Sequence, residues 1–123
     1  METALIIEDN YDNKILISDI LELNGYNTLH ADTGLSGFAM AMEKQPDFII
    51  LDIQLPDING YEVLDKIREC DATKSIPVVA MTSYAMAGDR EKLLNAGCDG
   101  YVEKPIDPAL VIDQIRQAIE KNP

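Results

Sequence analysis

Five short runs of mainly apolar residues recur along the chain at similar spacing, and each has the composition of a β-strand. The run from Phe48 to Leu51 contains β-branched residues and lacks polar alternation, which is typical of a strand that is covered on both faces. We predict strands at Ala4 to Ile7, Asn27 to Ala31, Phe48 to Leu51, Pro77 to Met81, and Gly100 to Val102.

Stretches with helical periodicity follow each of these runs. The first two helices end before "NGY" and "KQPD", and the third and fourth fall near "GYEVLDKIREC" and "AGDREKLLNAG". The last, "DPALVIDQIRQAIEKN", opens with Asp107 as N-cap and Pro108 at the first helical position. This strict alternation predicts an α/β fold with a doubly wound parallel sheet.

A flavodoxin-like (βα)5 sheet of this kind commonly has the strand order 2-1-3-4-5, and its functional crevice lies beyond the carboxyl ends of the strands. In that order the first and third strands are neighbours. Glu8 and Asp9 follow the first strand, and Asp52 follows the third. Thr82 and Lys104 follow the fourth and fifth. We therefore expect three carboxylates, a hydroxyl and an ammonium group to converge.

A lone aspartate such as Asp52 at a strand end ordinarily caps a turn, and Glu8 with Asp9 could cap the first helix. Crowded carboxylates at a dry edge, however, raise their own pKa values unless a cation neutralises them. Oxygen ligands suit Mg²⁺, which keeps waters for a phosphate. Lys104 and Thr82 could then contact phosphoryl oxygens. The set predicts phosphoryl transfer to Asp52.

Composition narrows the classes of protein that fit. A chain of 123 residues, 46% of them hydrophobic, suits one compact domain. No apolar run reaches the roughly twenty residues that cross a bilayer, and the start lacks a signal peptide, so we expect a cytoplasmic protein. Cys70 and Cys98 have no metal-type spacing and are expected to be free thiols. The net charge of −12 argues against nucleic-acid binding and favours a protein partner or a cation.

Four motifs in register resemble the receiver domains of two-component response regulators: "LIIEDN", "LDIQLPDINGYE", "VVAMTSYA" and "YVEKPID". The match covers residues 1–123, which we interpret as a single receiver domain without an output domain. The stretch from "IPVVAMTSYA" to "YVEKPI" is most similar to stand-alone regulators of the DivK type and to receivers of hybrid kinases.

The resemblance implies a role for each motif residue. Asp52 accepts a phosphoryl group from a histidine of a kinase or phosphotransfer protein, and a downstream protein target responds. Asp9 and Asp52 bind Mg²⁺ directly, Glu8 acts through water, and the backbone carbonyl of Gln54 completes the protein ligands. Lys104 bonds the acyl phosphate. The chain would thus catalyse its own phosphorylation and dephosphorylation rather than act as an enzyme on other substrates.

The resemblance also implies a conformational switch. Thr82 turns toward the phosphate, and Tyr101 swings inward to fill the vacated space. Gln54 and Tyr84 occupy the positions that control water access in the family, and both are bulky here, so we expect slow self-dephosphorylation. A cis peptide bond is implied within the "KP" motif.

The first helix offers a candidate docking residue. Ile15 lies to one side of the apolar stripe that suits the core, so we expect it to be exposed. A single exposed isoleucine is ordinarily unremarkable. Receivers of the family, however, dock a histidine-bearing helical bundle with this helix.

Two other classes of function remain as alternatives. Aspartyl-phosphate hydrolases resemble this site but carry a second acidic residue, the general acid, where this chain has Gln54. An amide cannot donate a proton to a leaving group, which disfavours that chemistry. A binding module that has lost phosphorylation typically lacks the acceptor or the lysine, and Asp52 and Lys104 are both present.

Overall fold

Strands and helices alternate strictly along the chain. The computed structural model describes residues 2–83 and 87–120. The elements are β1 (Thr3–Ile7), α1 (Tyr11–Leu23), β2 (Asn27–Ala31), α2 (Gly34–Lys44), β3 (Phe48–Asp52), α3 (Gly60–Glu69), β4 (Val78–Thr82), α4 (Ala87–Asn95), β5 (Gly100–Glu103) and α5 (Val111–Glu120).

The strands form one parallel sheet in the order β2-β1-β3-β4-β5, which confirms the predicted flavodoxin-like α/β fold. The register pairs Ile7 with Leu51 and Asp52 with Met81. The carboxyl ends of β1, β3 and β4 are therefore level at one edge. From β1 the sheet extends to β2 on one side and to β3, β4 and β5 on the other. The strand order therefore reverses between β1 and β3, and the crevice expected for this topology lies there.

Two hydrophobic layers cover the two faces of the sheet. On β3, Ile49 and Leu51 belong to the layer packed against α2, α3 and α4, whereas Phe48 and Ile50 face α1 and α5. Every residue of β3 is buried, since both faces are covered, which explains its continuous apolar run. Within the described ranges, no helix has the length and apolar character needed to cross a membrane.

Several element boundaries differ from those predicted. β1 begins at Thr3 and β5 ends at Glu103, so each strand is one residue longer than expected. β3 includes Asp52, and β4 lies one residue later than expected, because the hydrogen-bonded ladder continues through these polar strand ends. α5 begins at Val111 rather than Pro108. Asp107 does act as a cap, but of the turn that precedes α5. Its Oδ1 accepts a hydrogen bond from Ala109 N at 2.9 Å.

Candidate functional site

The polar residues that end the strands lie along a single edge of the sheet. Glu8 follows β1 and extends its pairing with β2, since its amide donates to the Ala31 carbonyl at 3.0 Å. Asp52 and Thr82 are the last residues of β3 and β4, and both are buried. Lys104 follows β5, and its amide donates to the Thr82 carbonyl at 2.8 Å. Hydrogen bonds between neighbouring strands thus fix the backbone positions from which these side chains extend.

Three carboxylates cluster at this edge. Oxygen atoms of Glu8, Asp9 and Asp52 all lie within 4.8 Å of one another. Glu8 is 0% exposed and Asp52 is 1% exposed, whereas Asp9 faces solvent. One side of the cluster therefore lies in the protein interior, and Asp9 gives it an open side through which a ligand could reach it.

Lys104 supplies the cation nearest to the buried carboxylates. Its Nζ lies 3.1 Å from Asp52 Oδ1 and 3.5 Å from Glu8 Oε2, and its side chain is largely buried. The Lys104-Pro105 peptide bond is cis, as the resemblance implies. One ammonium group facing two buried carboxylates leaves a local excess of negative charge even before Asp9 is counted.

The pKa of Glu8 is raised well above its ordinary value. Burial raises its pKa from 4.5 to about 7, the negative charge of Asp52 adds to the rise, and the Lys104 ammonium opposes it. Oε1 accepts a hydrogen bond from Asn10 N at 3.2 Å. Oε2 is buried without a hydrogen-bond partner among the described residues. A buried carboxylate oxygen that accepts no hydrogen bond is suited to a cation or a bound water.

The helix that starts beside the acidic pair has its own cap. Asn10 is the N-cap of α1, and its Oδ1 accepts from Asn13 N at 2.9 Å. The alternative that Glu8 or Asp9 caps this helix is therefore wrong. Sequence reasoning overlooked Asn10, although asparagine directly before a helix is among the strongest capping signals.

Asp52 also performs the ordinary task of a strand-end aspartate. Its Oδ1 accepts a hydrogen bond from the amide of Gln54 at 3.0 Å, two residues further along. The same oxygen faces Lys104 at 3.1 Å. The turn contact and the charge cluster are thus compatible, because a carboxylate has several acceptor positions.

The remaining predicted residues lie around the cluster or apart from it. Gln54 is exposed at the start of the loop that follows β3. Tyr101, on β5, is partly buried and packs against the hydrophobic layer of α2, α3 and α4. Ile15 is 38% exposed on α1, as its position in the pattern predicts. Tyr84 lies outside the described residues.

The family model of the response regulator receiver domain matches residues 4–116. The chain belongs to this family. The polar-differentiation response regulator DivK of Brucella anthropi is 39% identical over 115 residues, which cover 94% of each chain, and DivK of Brucella ovis is 38% identical with the same coverage. These relatives bear out the resemblance to the DivK type.

Solved receiver structures share the fold. The receiver domain of a sensor histidine kinase from Pseudomonas aeruginosa, which has a magnesium ion coordinated in its active site cleft, is 30% identical, with a TM-score of 0.86. The match covers 97% of this receiver and 98% of that chain. Membership of the family makes this chain a response regulator of the phosphorelay type and does not favour the hydrolase or the degenerate module.

Proposed function

We propose that Asp52 is the phosphoacceptor of this receiver. The observation that carries the proposal is a buried carboxylate at the end of β3, 3.1 Å from the Lys104 ammonium and clustered with two further carboxylates. In the transfer, an Asp52 carboxylate oxygen bonds to phosphorus as the nitrogen–phosphorus bond of a phosphohistidine breaks. The electron pair of that bond returns to the imidazole, so the products are an acyl phosphate and a histidine.

The acidic cluster fits Mg²⁺ in the chemistry of its donors. Carboxylate and carbonyl oxygens are the ligands this ion prefers, and Glu8 Oε2 is a buried oxygen that accepts no hydrogen bond from the described residues. We assign Asp9 and Asp52 as direct ligands, Glu8 as a ligand through water, and the Gln54 carbonyl as the remaining protein ligand. When bound, Mg²⁺ offsets the negative charge of the phosphoryl oxygens.

The chain's own residues supply the rest of the proposed chemistry. The Lys104 ammonium, which lies beside Asp52, forms an ion pair with the acyl phosphate. Thr82 donates its hydroxyl hydrogen to a phosphoryl oxygen. Because these groups belong to the receiver, it catalyses its own phosphorylation and dephosphorylation. Gln54 and Tyr84 limit the approach of water and so lengthen the lifetime of the phosphoryl group.

The phosphoryl group is proposed to act by shifting an existing equilibrium between two conformations. Its contacts with Thr82 and Lys104 favour the active conformation, in which Tyr101 moves inward near β4 and α4. The output is a changed protein surface that a downstream protein recognises. The net charge of −12 makes nucleic acid an unfavourable partner.

A histidine kinase or a histidine phosphotransfer protein is the proposed phosphoryl donor. Ile15, an exposed apolar side chain on the helix that starts beside the acidic cluster, is the proposed anchor for a groove between two helices of that donor. Such docking holds histidine and Asp52 in line, and fixed alignment lowers the barrier to transfer.

Incubation with acetyl phosphate and Mg²⁺, followed by intact mass measurement, tests the proposal. We expect one phosphoryl adduct on the native chain and none on Asp52→Asn, because an amide is a poor nucleophile. Full labelling of Asp52→Asn would move the acceptor elsewhere. Steady release of free phosphate would indicate a hydrolase, and an unchanged native chain a degenerate binding module.

A further inference from the structure

The loop that follows β3, residues 53–59, is tied to a helix of a different strand–helix unit. Asp57 accepts two hydrogen bonds from the start of α2: Gly34 N donates to Oδ1 at 2.8 Å and Leu35 N donates to Oδ2 at 3.0 Å. These are the first two amides of the helix, which have no partner within the helix itself. The Asp57 side chain therefore caps the N-terminus of a helix that begins 23 residues earlier in the chain.

The local cap of α2 leaves those two amides to Asp57. Thr33 is the N-cap and forms a capping box with Ser36: its Oγ1 accepts from Ser36 N at 3.1 Å, while Ser36 Oγ accepts from Thr33 N at 3.3 Å. Thr33 satisfies the third helical amide, and Asp57 satisfies the first and second. The two caps are separate devices, so each can be removed without the other.

Charge and close packing both favour the contact with α2. The amides of Leu35 and Gly34 lower the pKa of Asp57 to about 2, and a carboxylate is favourable at the positive end of a helix. Side chains of the loop and of α3 also pack closely against Gly34. A Cβ on Gly34 would lie 2.6 Å from Val63 Cγ2 and 2.8 Å from Ile58 Cγ1. A larger residue at position 34 would push the helix away from the loop.

One end of the loop is bound to Asp52, and the other end is bound to the first and lies against Asp52. Gln54 N donates to Asp52 Oδ1 at 3.0 Å, and Gly60 N donates to the Ile53 carbonyl at 2.8 Å. A Cβ on Gly60 would lie 2.4 Å from Ile53 Cα and 2.8 Å from the Asp52 carbonyl, so the returning chain passes against the acceptor. Between these ends most residues are exposed, and the Asp57 contacts hold the middle of the loop to α2.

We propose that Asp57 is a positioning residue for the cation site. By fixing the loop to α2, it sets the position of the Gln54 carbonyl, three residues earlier, relative to the carboxylates of Asp9 and Asp52. The inference rests on the proposed function, in which these oxygens bind Mg²⁺. It extends that function to a residue that touches neither the metal nor the phosphoryl group.

Calorimetric titration of the full chain with Mg²⁺ tests the proposal, with Asp57→Ala compared with Thr33→Ala. The Thr33 variant is the matched control, because it removes the local cap of the same helix and leaves the loop contact in place. Both are measured in about 0.5 M KCl, where the Debye length of about 4 Å screens the loss of the distant Asp57 charge. Hydrogen exchange of peptides covering residues 53–59 is followed without metal.

We expect Asp57→Ala to weaken Mg²⁺ binding at least fivefold and to speed exchange in residues 53–59, whereas Thr33→Ala changes the affinity by less than twofold. Equal affinities in the two variants, whether lowered or unchanged, would overturn the role of Asp57. A native chain that binds no Mg²⁺ at millimolar concentration would instead overturn the proposed function, and the inference with it. The native titration therefore separates the two failures.

Discussion

At the scale of single residues, the acidic cluster holds two carboxyl groups in the protein interior, where water cannot solvate a negative charge. Glu8 and Asp52 are both buried, and the Lys104 ammonium lies between them at 3.5 and 3.1 Å. The pair cannot be fully ionised without a cost, because burial and mutual repulsion both disfavour the second charge. Proton binding at Glu8 and metal binding at the cluster should therefore affect the stability of this receiver.

Glu8 should make the metal-free receiver less stable as pH rises. Its pKa is raised to about 7 in the folded chain against an ordinary 4.5, so the folded state binds the proton more tightly than the unfolded state. The stabilisation from the bound proton is complete below pH 4.5 and is lost as pH rises toward 7. Relative to Glu8→Gln, which cannot ionise, the free energy of unfolding should fall by about 1–3 kcal/mol across that window.

Urea denaturation of both chains at pH 5 and pH 8, with a chelator present, measures this difference. Saturating Mg²⁺ should reduce it, since the cation replaces the proton. Parallel pH profiles for the native chain and Glu8→Gln would show that Glu8 ionises normally.

Asp52→Asn should raise the melting temperature of the metal-free receiver above pH 7. The substitution keeps the shape and the oxygen that accepts from Gln54 N, but removes one charge from the crowded cluster. It also removes the repulsion that Asp52 exerts on Glu8, so the stability of the variant should depend less on pH. Thermal unfolding followed by circular dichroism measures both effects, and a lower melting temperature at pH 8 would contradict them.

At the scale of elements, α1 combines a buried face with an exposed apolar residue near the site. Ile17 and Leu21 are buried against the sheet, whereas Ile15 is 38% exposed and Leu23, at the last position of the helix, is 86% exposed. The two exposed residues are eight positions apart, or about 12 Å along the helix. Of these two residues, Ile15 lies in the half of α1 that starts beside the acidic cluster.

Ile15→Glu should slow phosphotransfer from the cognate phosphohistidine protein by about tenfold or more, since losing a central apolar anchor typically costs over ~1 kcal/mol. Leu23→Glu is the matched control: it makes the same charge change on the same helix and should alter the rate by less than about twofold. Labelling by acetyl phosphate, which needs no docking, should be unaffected in both. Rapid-quench transfer assays measure the rates, and equal rates in the two variants would place the docking surface elsewhere.

At the scale of the whole molecule, one arginine joins elements at the end of the sheet opposite the acidic cluster. Arg68 of α3 donates to the carbonyls of Gly97, Lys74 and Ile76 at 2.7–2.9 Å and to Asp99 Oδ2 at 3.0 Å. Asp99 also accepts from Val78 N at 2.8 Å. The network therefore connects α3 with the segments that lead into β4 and β5, the strands that carry Thr82 and Lys104 at their far ends.

Arg68→Met should lower the free energy of unfolding by about 2–4 kcal/mol, because partly buried carbonyls and Asp99 lose a charged donor. Lys74→Met is the comparison. Lys74 pairs with Asp71 on the surface at 3.1 Å, and both side chains are exposed, so its loss should cost less than about 0.5 kcal/mol. Chemical denaturation of the two variants measures both losses in the free energy of unfolding. Equal losses would indicate that Arg68 behaves as an ordinary surface charge.

Much of this molecule follows from the sequence alone. Short runs with strand composition identified all five strands, and the strand–helix alternation predicted the parallel sheet and its layers. The edge where polar residues meet was also predictable, because the carboxyl ends of parallel strands lie on the same side of a sheet. Local signals were sufficient for these features, since hydrophobic periodicity and chain direction determine them.

Contacts between distant parts of the chain were decided only by the tertiary structure. No local pattern predicts that Asp57 caps α2, that Arg68 reaches Asp99, or that Glu8 Oε2 is buried without a hydrogen bond in the described chain. The start of α5 at Val111 is a different case, because the turn that replaces the predicted first helical turn is held by a local hydrogen bond from Ala109 N to Asp107 Oδ1. The first three features depend on which elements become neighbours, and burial by those neighbours sets the charge and hydrogen bonding of each group.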